Sequence, residues 1–220
     1  RADIVEWRAD TFLSSLVGSH FVAASDVEED LVRMARYVAD SSPLPVLATI
    51  RTSVEGGEAY LDDDEYCALV RRLASFAGGA DVEISRDGSS ALIEEAHEAG
   101  AIVVASFHDF EGTPGDEQLA EVLAAMNYAG ADVLKFACMA NSATDAARVL
   151  AAQAWAREAY DRPVIGISMG EHGAPTRLVG SALGSAATFA TLPGWEGSAP
   201  GQFTVEQVRT VLDIVEGPEA

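Results

Sequence analysis

The feature that most constrains the fold is a regular alternation of short apolar runs with longer segments of helical periodicity. The apolar runs are rich in Val and Ile, which is typical of buried parallel strands. The predicted strands are residues 3–8, 45–51, 80–84, 101–107, 131–137, 163–168 and 186–191, and the predicted helices are residues 27–40, 62–77, 88–99, 116–129, 142–160, 174–182 and 204–215. This alternation predicts an α/β protein with a parallel sheet.

The number of repeats favours a (β/α)8 TIM barrel. Seven strands, each followed by a helix, are one unit short of that barrel, and the opening residues already form a strand. We therefore expect the first βα unit to be absent from this sequence. A doubly wound sheet is the alternative, but no Gly-rich phosphate loop follows an early strand. The sequence predicts a single (β/α)8-barrel catalytic domain over residues 1–220.

The charge of the chain limits its partners. A net charge of -21 and a pI near 4.3 leave no basic stripe for nucleic acid. Surplus carboxylates are tolerated best in concentrated salt, where screening reduces their repulsion, so the composition indicates a halophilic host. No apolar run is long enough to span a membrane and no signal peptide opens the chain, so we expect a cytoplasmic protein.

Polar side chains and one methionine lie at the ends of the predicted strands, which is where TIM barrels carry their chemistry. These residues are Glu6, Arg8, Asp10, Arg51, Glu55, Glu83, His108, Asp109, Lys135, Met169, Ser198 and Gln202. Such a series predicts one active-site mouth. Cys67 and Cys138 fit no disulfide or metal-ligand spacing, and we assign them no role.

Lys135 is the only lysine among fourteen basic residues, and it lies within an apolar strand. Loss of hydration disfavours its charged form, and a neutral amine can form a Schiff base with a carbonyl substrate. The alternative is a lysine at a strand end whose ammonium group reaches solvent. His108 follows the preceding strand and could transfer protons near neutral pH, whereas His20, His97 and His172 lack such a position.

Eight motifs then resemble, in order, those of the type I 3-dehydroquinate dehydratases. They are Glu6-x-Arg8-x-Asp10; Thr49-x-Arg51 with Glu55-Gly56-Gly57; Asp81-Val82-Glu83-Ile84; Ser106-x-His108-Asp109-Phe110 with Thr113-Pro114; Lys135; Ser168-Met169-Gly170 with Gly173 and Arg177; Gly184-Ser185; and Ala199-Pro200-Gly201-Gln202. Each motif is weak alone, but the ordered series spans essentially the whole chain.

The resemblance implies a lyase of the shikimate pathway that converts 3-dehydroquinate to 3-dehydroshikimate without a cofactor or metal. Lys135 would form an imine with the substrate. His108 would remove the proton next to the imine carbon and protonate the departing hydroxyl, and Glu55 would orient His108. The family also implies a homodimer.

The same resemblance implies the substrate-binding residues. Arg177 would bind the substrate carboxylate, because a planar guanidinium suits a carboxylate. The other expected contacts are Glu6, Arg8 and Arg51 with ring hydroxyls, Met169 and Phe189 as an apolar wall, and Ser198 and Gln202 in a closing loop at residues 194–202.

Two other functions remain compatible with a barrel of this composition. A class I aldolase also uses a Schiff-base lysine, and Gly170 and Gly173 could serve its phosphate site. Arg177 and Gln202 suit a carboxylate and hydroxyls better. A non-catalytic barrel that binds an acidic metabolite is the second alternative, although Lys135 and His108 are both present.

Overall fold

A computed structural model describes residues 2–17, 24–195, 197–215 and 217 of the chain, so His20 lies outside the described residues. Its strands and helices alternate. In chain order they are β1 (Val5–Arg8), α1 (Ala9–Val17), α2 (Ala24–Ser41), β2 (Val46–Thr49), α3 (Asp63–Ala74), β3 (Gly79–Glu83), α4 (Ser89–Glu98), β4 (Ile102–Asp109), α5 (Asp116–Tyr128), β5 (Val133–Met139), α6 (Ala143–Ala159), β6 (Val164–Met169), α7 (Gly170–Gly173), α8 (Thr176–Val179) and α9 (Val205–Val215). In these ranges no helix is both long and apolar enough to cross a membrane.

The strands are parallel and their order in the sheet follows the chain, β1-β2-β3-β4-β5-β6. A doubly wound sheet reverses its strand order at a switch point, so this order excludes the alternative. The α/β class predicted from the alternation is confirmed.

The chain forms two compact units. The amino-terminal unit comprises Asp3–Ser106 and Tyr128–Asp132, and the carboxyl-terminal unit comprises mainly Phe107–Asn127 and Val133–Ala220. In the first, β3 pairs with β4 so that Asp81 lies opposite Val104 and Glu83 opposite Ser106. In the second, β5 pairs with β6 so that Lys135 lies opposite Ile165. Paired residues of neighbouring parallel strands share a face, which decides the side chains that meet.

The predicted strand at 186–191 is wrong. In that stretch only single bridges form at its ends, between Ser185 and Val164 and between Thr191 and Thr204. Ala186 and Ala187 are exposed. Alanine has little side-chain surface to bury on a pleated sheet, so this run lacks the packing that stabilises a strand.

Two helix predictions also need correction. Helix α1 occupies a stretch for which no helix was predicted, and in it Ala9 and Leu13, one helical turn apart, are both buried. The helix predicted at 174–182 is divided into α8 and a 3₁₀ turn at Ser181–Leu183. Gly180 joins the two pieces, and Gly184 ends the turn with a positive φ of 87°. Glycine is a poor helix former, which explains the interruption.

Candidate active site

Arg51 is the centre of a buried charged cluster in the amino-terminal unit, with only 3% of its surface exposed. Its Nη2 donates to Asp81 Oδ1 at 2.6 Å. Its Nη1 lies within hydrogen-bond distance of Glu83 at 3.0 Å, Ser106 at 3.1 Å and Glu55 at 3.2 Å. One guanidinium therefore binds three carboxyl groups, of which two come from strand β3 and one from the loop after β2.

The loop after β2 brings Glu55 to this cluster. Thr52 precedes a 3₁₀ turn at Ser53–Glu55, and Gly56 follows with a left-handed φ of 77°. A Cβ atom at Gly57 would lie 2.1 Å from the backbone oxygen of Arg51, so only glycine fits there. The Glu55-Gly56-Gly57 motif is thus explained by the tight turn that places Glu55 next to Arg51.

The protonation of the cluster follows from its burial. Burial raises the pKa of Glu55 to about 7; Arg51 opposes this rise, and the nearby charge of Glu83 adds to it. Burial lowers the pKa of Arg51, but Asp81, Glu83 and Glu55 more than compensate and raise it above its ordinary value. Arg51 is therefore permanently charged, while Glu55 titrates near neutral pH.

This titration predicts a pH-dependent stability. The pKa of Glu55 is about 7 in the folded chain against an ordinary value of 4.5, so the folded state binds more protons than the unfolded state between those values. The free energy of unfolding should then fall as pH rises from about 5 to 8, by roughly 1 to 3 kcal/mol from Glu55. Urea unfolding of the wild type and of Glu55→Gln across this range measures the effect. An equal slope in both proteins would contradict it.

The end of β1 carries two of the predicted binding residues. Thr49 Oγ1 donates to Glu6 Oε1 at 3.0 Å. Arg8 binds Asp10 through two hydrogen bonds of 2.8 and 2.6 Å, and Asp10 also accepts the backbone N–H of Glu58 at 3.2 Å. Asp10 thus orients Arg8 and anchors it to the loop after β2.

Lys135 lies in an apolar part of the carboxyl-terminal unit. It is 3% exposed, and its Nζ lies 4.5 Å from the centroid of the Phe189 ring. The strand register places Lys135 opposite Ile165, which belongs to a core cluster. The cluster is formed by Ala137, Ile165, Ile167 and Met169, and Val133, Phe189 and Ala199 pack against the cluster. The apolar setting predicted for this lysine is confirmed.

His108 and Asp109 are the last two residues of β4 rather than loop residues. His108 is half-buried. The Asp109 carboxylate accepts the backbone N–H groups of Glu111 and Gly112 at 2.8 and 3.0 Å. Asp109 therefore shapes the turn after β4.

Arg177 is a buried cation on α8, with 4% of its surface exposed. Its Nη2 donates to the Pro200 oxygen at 3.3 Å. Its Nε and Nη1 are buried and have no hydrogen-bond partner in the part of the chain that the structure describes. Burial lowers its pKa to about 10. A guanidinium with unused buried donors is well suited to an anion.

The loop that carries Ser198 and Gln202 contacts the segment after β6. The Pro200 oxygen accepts the N–H of Gly170 at 3.4 Å, in addition to its bond from Arg177. Gln202 Oε1 accepts the N–H of Ser198, and Gln202 Nε2 donates to Ser198 Oγ, both at 3.0 Å. The two predicted loop residues thus bind each other.

Each unit brings part of the predicted set together. The amino-terminal unit holds Glu6, Arg8, Arg51 and Glu55, and the carboxyl-terminal unit holds His108, Lys135, Met169, Arg177, Phe189, Ser198 and Gln202. The contacts of Asp81, Ser106 and Thr52 with this cluster were not evident from the sequence. The alternation of acidic residues in Asp81-Val82-Glu83 was the available signal, because it puts two carboxylates on one face of a strand. No group of acidic, histidine or cysteine residues among those described could hold a metal ion.

Comparison with known proteins supports one family. A family model described as type I 3-dehydroquinase matches residues 1–219. A 3-dehydroquinate dehydratase of Klebsiella pneumoniae (strain 342) is 37% identical over 219 residues, which are 97% of this chain and 83% of the relative.

Solved structures agree. The crystal structure of 3-dehydroquinate dehydratase from Geobacillus kaustophilus HTA426 has a TM-score of 0.87 and 33% identity, over 100% of this chain and 83% of that one. The type I enzyme from Clostridium difficile, solved with covalently modified comenic acid, has a TM-score of 0.81 and 32% identity, over 97% of this chain and 81% of that one. From the family model and these relatives together, we conclude that the chain belongs to the type I 3-dehydroquinase family.

Proposed function

We propose that the chain dehydrates 3-dehydroquinate to 3-dehydroshikimate through an imine on Lys135. The chain is a hydro-lyase of the shikimate pathway by its family, which replaces the aldolase and non-catalytic alternatives. The observation that carries the mechanism is the burial of Lys135 beside the Phe189 ring and the apolar cluster.

The proposed reaction has three stages, which are imine formation, elimination and imine hydrolysis. The Lys135 amine attacks the substrate ketone, and loss of water gives a protonated imine, which withdraws electrons from the neighbouring carbon. His108 removes a proton from that carbon, the electron pair forms the new double bond, and the β-hydroxyl leaves with the proton that His108 returns. Hydrolysis of the imine then releases the enone product and the free lysine.

We assign the substrate carboxylate to Arg177. The unused donors Nε and Nη1 support this assignment, because a bound carboxylate would satisfy them and neutralise a desolvated charge. Met169 and Phe189 would form the apolar wall next to Lys135. Met169 belongs to the core cluster and Phe189 packs against it, which supports this assignment.

For the remaining residues the proposal follows the family resemblance. Glu55 would orient His108, and Glu6, Arg8 and Arg51 would bind ring hydroxyls. Ser198 and Gln202 would close over the substrate as part of a loop at residues 194–202, whose contact with Gly170 and Arg177 through Pro200 supports a link between loop and substrate binding.

A turnover assay tests the activity directly. The product is a conjugated enone, so its ultraviolet absorbance should rise when the purified protein is mixed with 3-dehydroquinate in concentrated salt. A matched sample of Lys135→Ala serves as the control for uncatalysed dehydration. No increase above that control would contradict the proposed function.

We further propose that residues 1–220 belong to a single (β/α)8-barrel catalytic domain, to which the six described strands contribute, and that the protein acts as a homodimer in the cytoplasm. The similarity of the whole chain to biosynthetic relatives supports this organisation. Analytical ultracentrifugation in concentrated salt distinguishes a dimer from a monomer of 23.1 kDa.

The charge of -21 leads us to propose a halophilic protein, with stability that increases with salt. Exposed like charges one helical turn apart, Glu94 with Glu98 on α4 and Glu117 with Glu121 on α5, support the proposal because screening reduces their repulsion. The melting temperature should rise by about 5 to 10 °C between 0.1 and 2 M KCl.

The double variant Glu94→Gln/Glu117→Gln breaks both like-charge pairs and should show a smaller rise in melting temperature, with turnover unchanged. A melting temperature that is flat or falls with added KCl would contradict the halophilic proposal.

A further inference from the structure

Glu83 has no role in the function proposed above, yet its carboxylate is fully buried and fully engaged. Its Oε1 accepts hydrogen bonds from Arg51 Nη1 at 3.0 Å and from the Thr52 N–H at 2.8 Å. Its Oε2 accepts from Thr52 Oγ1 at 2.7 Å. One carboxylate thus binds two consecutive residues at the end of β2.

Thr52 connects this carboxylate to Glu55. Thr52 is the residue before the 3₁₀ turn at Ser53–Glu55, and its hydroxyl makes no capping bond to that turn. Its backbone oxygen accepts the N–H groups of Glu55 at 3.1 Å and of Gly57 at 2.8 Å. Because Glu83 fixes both the hydroxyl and the N–H of Thr52, it also fixes the turn that presents Glu55.

Two further residues, Tyr66 and Arg86, contact Glu83. Its backbone N–H donates to the hydroxyl of the buried Tyr66 at 2.8 Å. Arg86 lies over the Tyr66 ring at 5.4 Å and approaches Glu83 Oε2 at 3.9 Å. The first contact fixes the backbone of Glu83, and the second places a positive charge beside its carboxylate, so both favour the position from which Glu83 binds Arg51 and Thr52.

We infer that Glu83 is a positioning residue for the dehydratase reaction, which sets the orientation of the Arg51 guanidinium and of the turn that carries Glu55. This inference rests on the proposed function, because it assumes that Arg51 and Glu55 act on the substrate and on His108. Glu83 acts on both groups through the bonds that it accepts from Arg51 and Thr52.

The negative charge of Glu83 has a second effect. The charged groups that act on Glu55 are Arg51, Glu83 and Asp81, and Ser85 donates a hydrogen bond of 2.6 Å to it. Glu83 helps to raise the pKa of Glu55, so a neutral side chain at position 83 should lower that pKa. If ionised Glu55 orients His108, the acidic limb of the rate profile should then move to lower pH.

The test uses Glu83→Gln in the full chain. Glutamine has the same shape, and Thr52 Oγ1 can accept from its amide, so we expect a folded protein. Its kcat/KM for 3-dehydroquinate should fall about 30-fold, with the acidic limb of the pH profile displaced to lower pH. An activity within threefold of the wild type, or an unmoved limb, would overturn the inference.

A double-mutant cycle tests the route through Thr52. Thr52→Val removes the hydroxyl and should reduce kcat/KM about tenfold. The double variant Glu83→Gln/Thr52→Val should have about the same kcat/KM as Glu83→Gln alone. Effects that multiply would show that Glu83 does not act through Thr52. If Glu83→Gln does not fold, Thr52→Val decides the question alone, since near-normal activity would contradict the inference.

The matched control is Glu95→Gln. Glu95 pairs with Arg71 at 2.7 Å in the same unit, but no bond from it to Arg51, Thr52 or Arg86 is found in the structure as described. It should leave both kcat/KM and the pH profile unchanged. Failure of the wild type to dehydrate 3-dehydroquinate would refute the proposed function, whereas an active wild type with a normal Glu83→Gln variant would refute only the role of Glu83.

Discussion

Borohydride added together with 3-dehydroquinate is expected to inactivate the enzyme irreversibly and to leave one substrate-derived adduct on Lys135. Reduction converts the imine to a secondary amine, which cannot hydrolyse. The trap is specific because Lys135 is the only lysine among the 220 residues, so no other side chain among them carries a primary amine.

Peptide mapping locates the adduct. The nearest arginines on either side of Lys135 are Arg86 and Arg148, so once the lysine is blocked trypsin should yield the labelled peptide 87–148. Borohydride without substrate is the control and should leave this peptide unmodified. An adduct at the amino terminus would refute the Schiff-base mechanism.

Lys135→Ala should abolish the labelling and reduce kcat by about 10⁴-fold or more, because no other side chain can form the imine. The buried site favours a clean comparison, since alanine is compatible with the apolar surroundings of Phe189 and Ile165. If the Lys135→Ala variant keeps its turnover, the covalent mechanism is refuted.

His108→Ala separates covalent binding from proton transfer. This variant retains Lys135 and should still form the imine, but elimination should stall for want of a base. Mass spectrometry after borohydride treatment should therefore find more adduct per turnover than in the wild type. A variant that forms no adduct would assign His108 to imine formation instead.

The sequence predicted the elements that depend on local pattern. Strands β1 to β6 lie within one or two residues of their predicted positions, because runs such as Val103-Val104-Ala105 have no stable alternative to burial. The strand prediction at 186–191 was wrong because a strand depends on apolar burial and the alanines of this run offer little surface to bury. Helix α1 was missed because only one pair of buried apolar residues, Ala9 and Leu13, marks its inward face in the part of the helix whose burial is described.

The sequence indicated candidate residues for a site but not the contacts between them. The position of Lys135 in an apolar strand fixed its setting, and the structure confirms it. The Arg51 cluster depends on register, because Asp81 and Ser106 meet only when Glu83 lies opposite Ser106. A register cannot be read from one strand, and therefore neither the three-carboxylate cluster nor the role of Glu83 was evident from the sequence.

Two donors of Arg177, Nε and Nη1, have no hydrogen-bond partner within the described chain, and such donors predict a contact with a ligand. A buried guanidinium with two unused donors is unfavourable in the absence of an anion. Its lowered pKa has the same cause, since burial is not offset by a carboxylate. The cost should be recovered when the substrate carboxylate binds, so the strength of binding depends on the geometry of the guanidinium as well as on its charge.

Arg177→Lys is therefore expected to fail as a conservative replacement. An ammonium group cannot form two parallel hydrogen bonds to a carboxylate, so KM for 3-dehydroquinate should rise by about 30- to 1000-fold, which corresponds to roughly 2 to 4 kcal/mol. Arg157→Lys changes an exposed arginine of the same unit and is the matched control.

Binding of two competitive inhibitors, identical except that one lacks the carboxylate, then identifies the interaction. Arg177→Lys should weaken the inhibitor that carries the carboxylate by the same factor as the substrate, and it should change the affinity of the other by less than about threefold, because that inhibitor never uses the donors Nε and Nη1. Equal losses for both inhibitors would mean that Arg177 acts by supporting the loop through Pro200, to whose oxygen it donates, and not by binding the carboxylate.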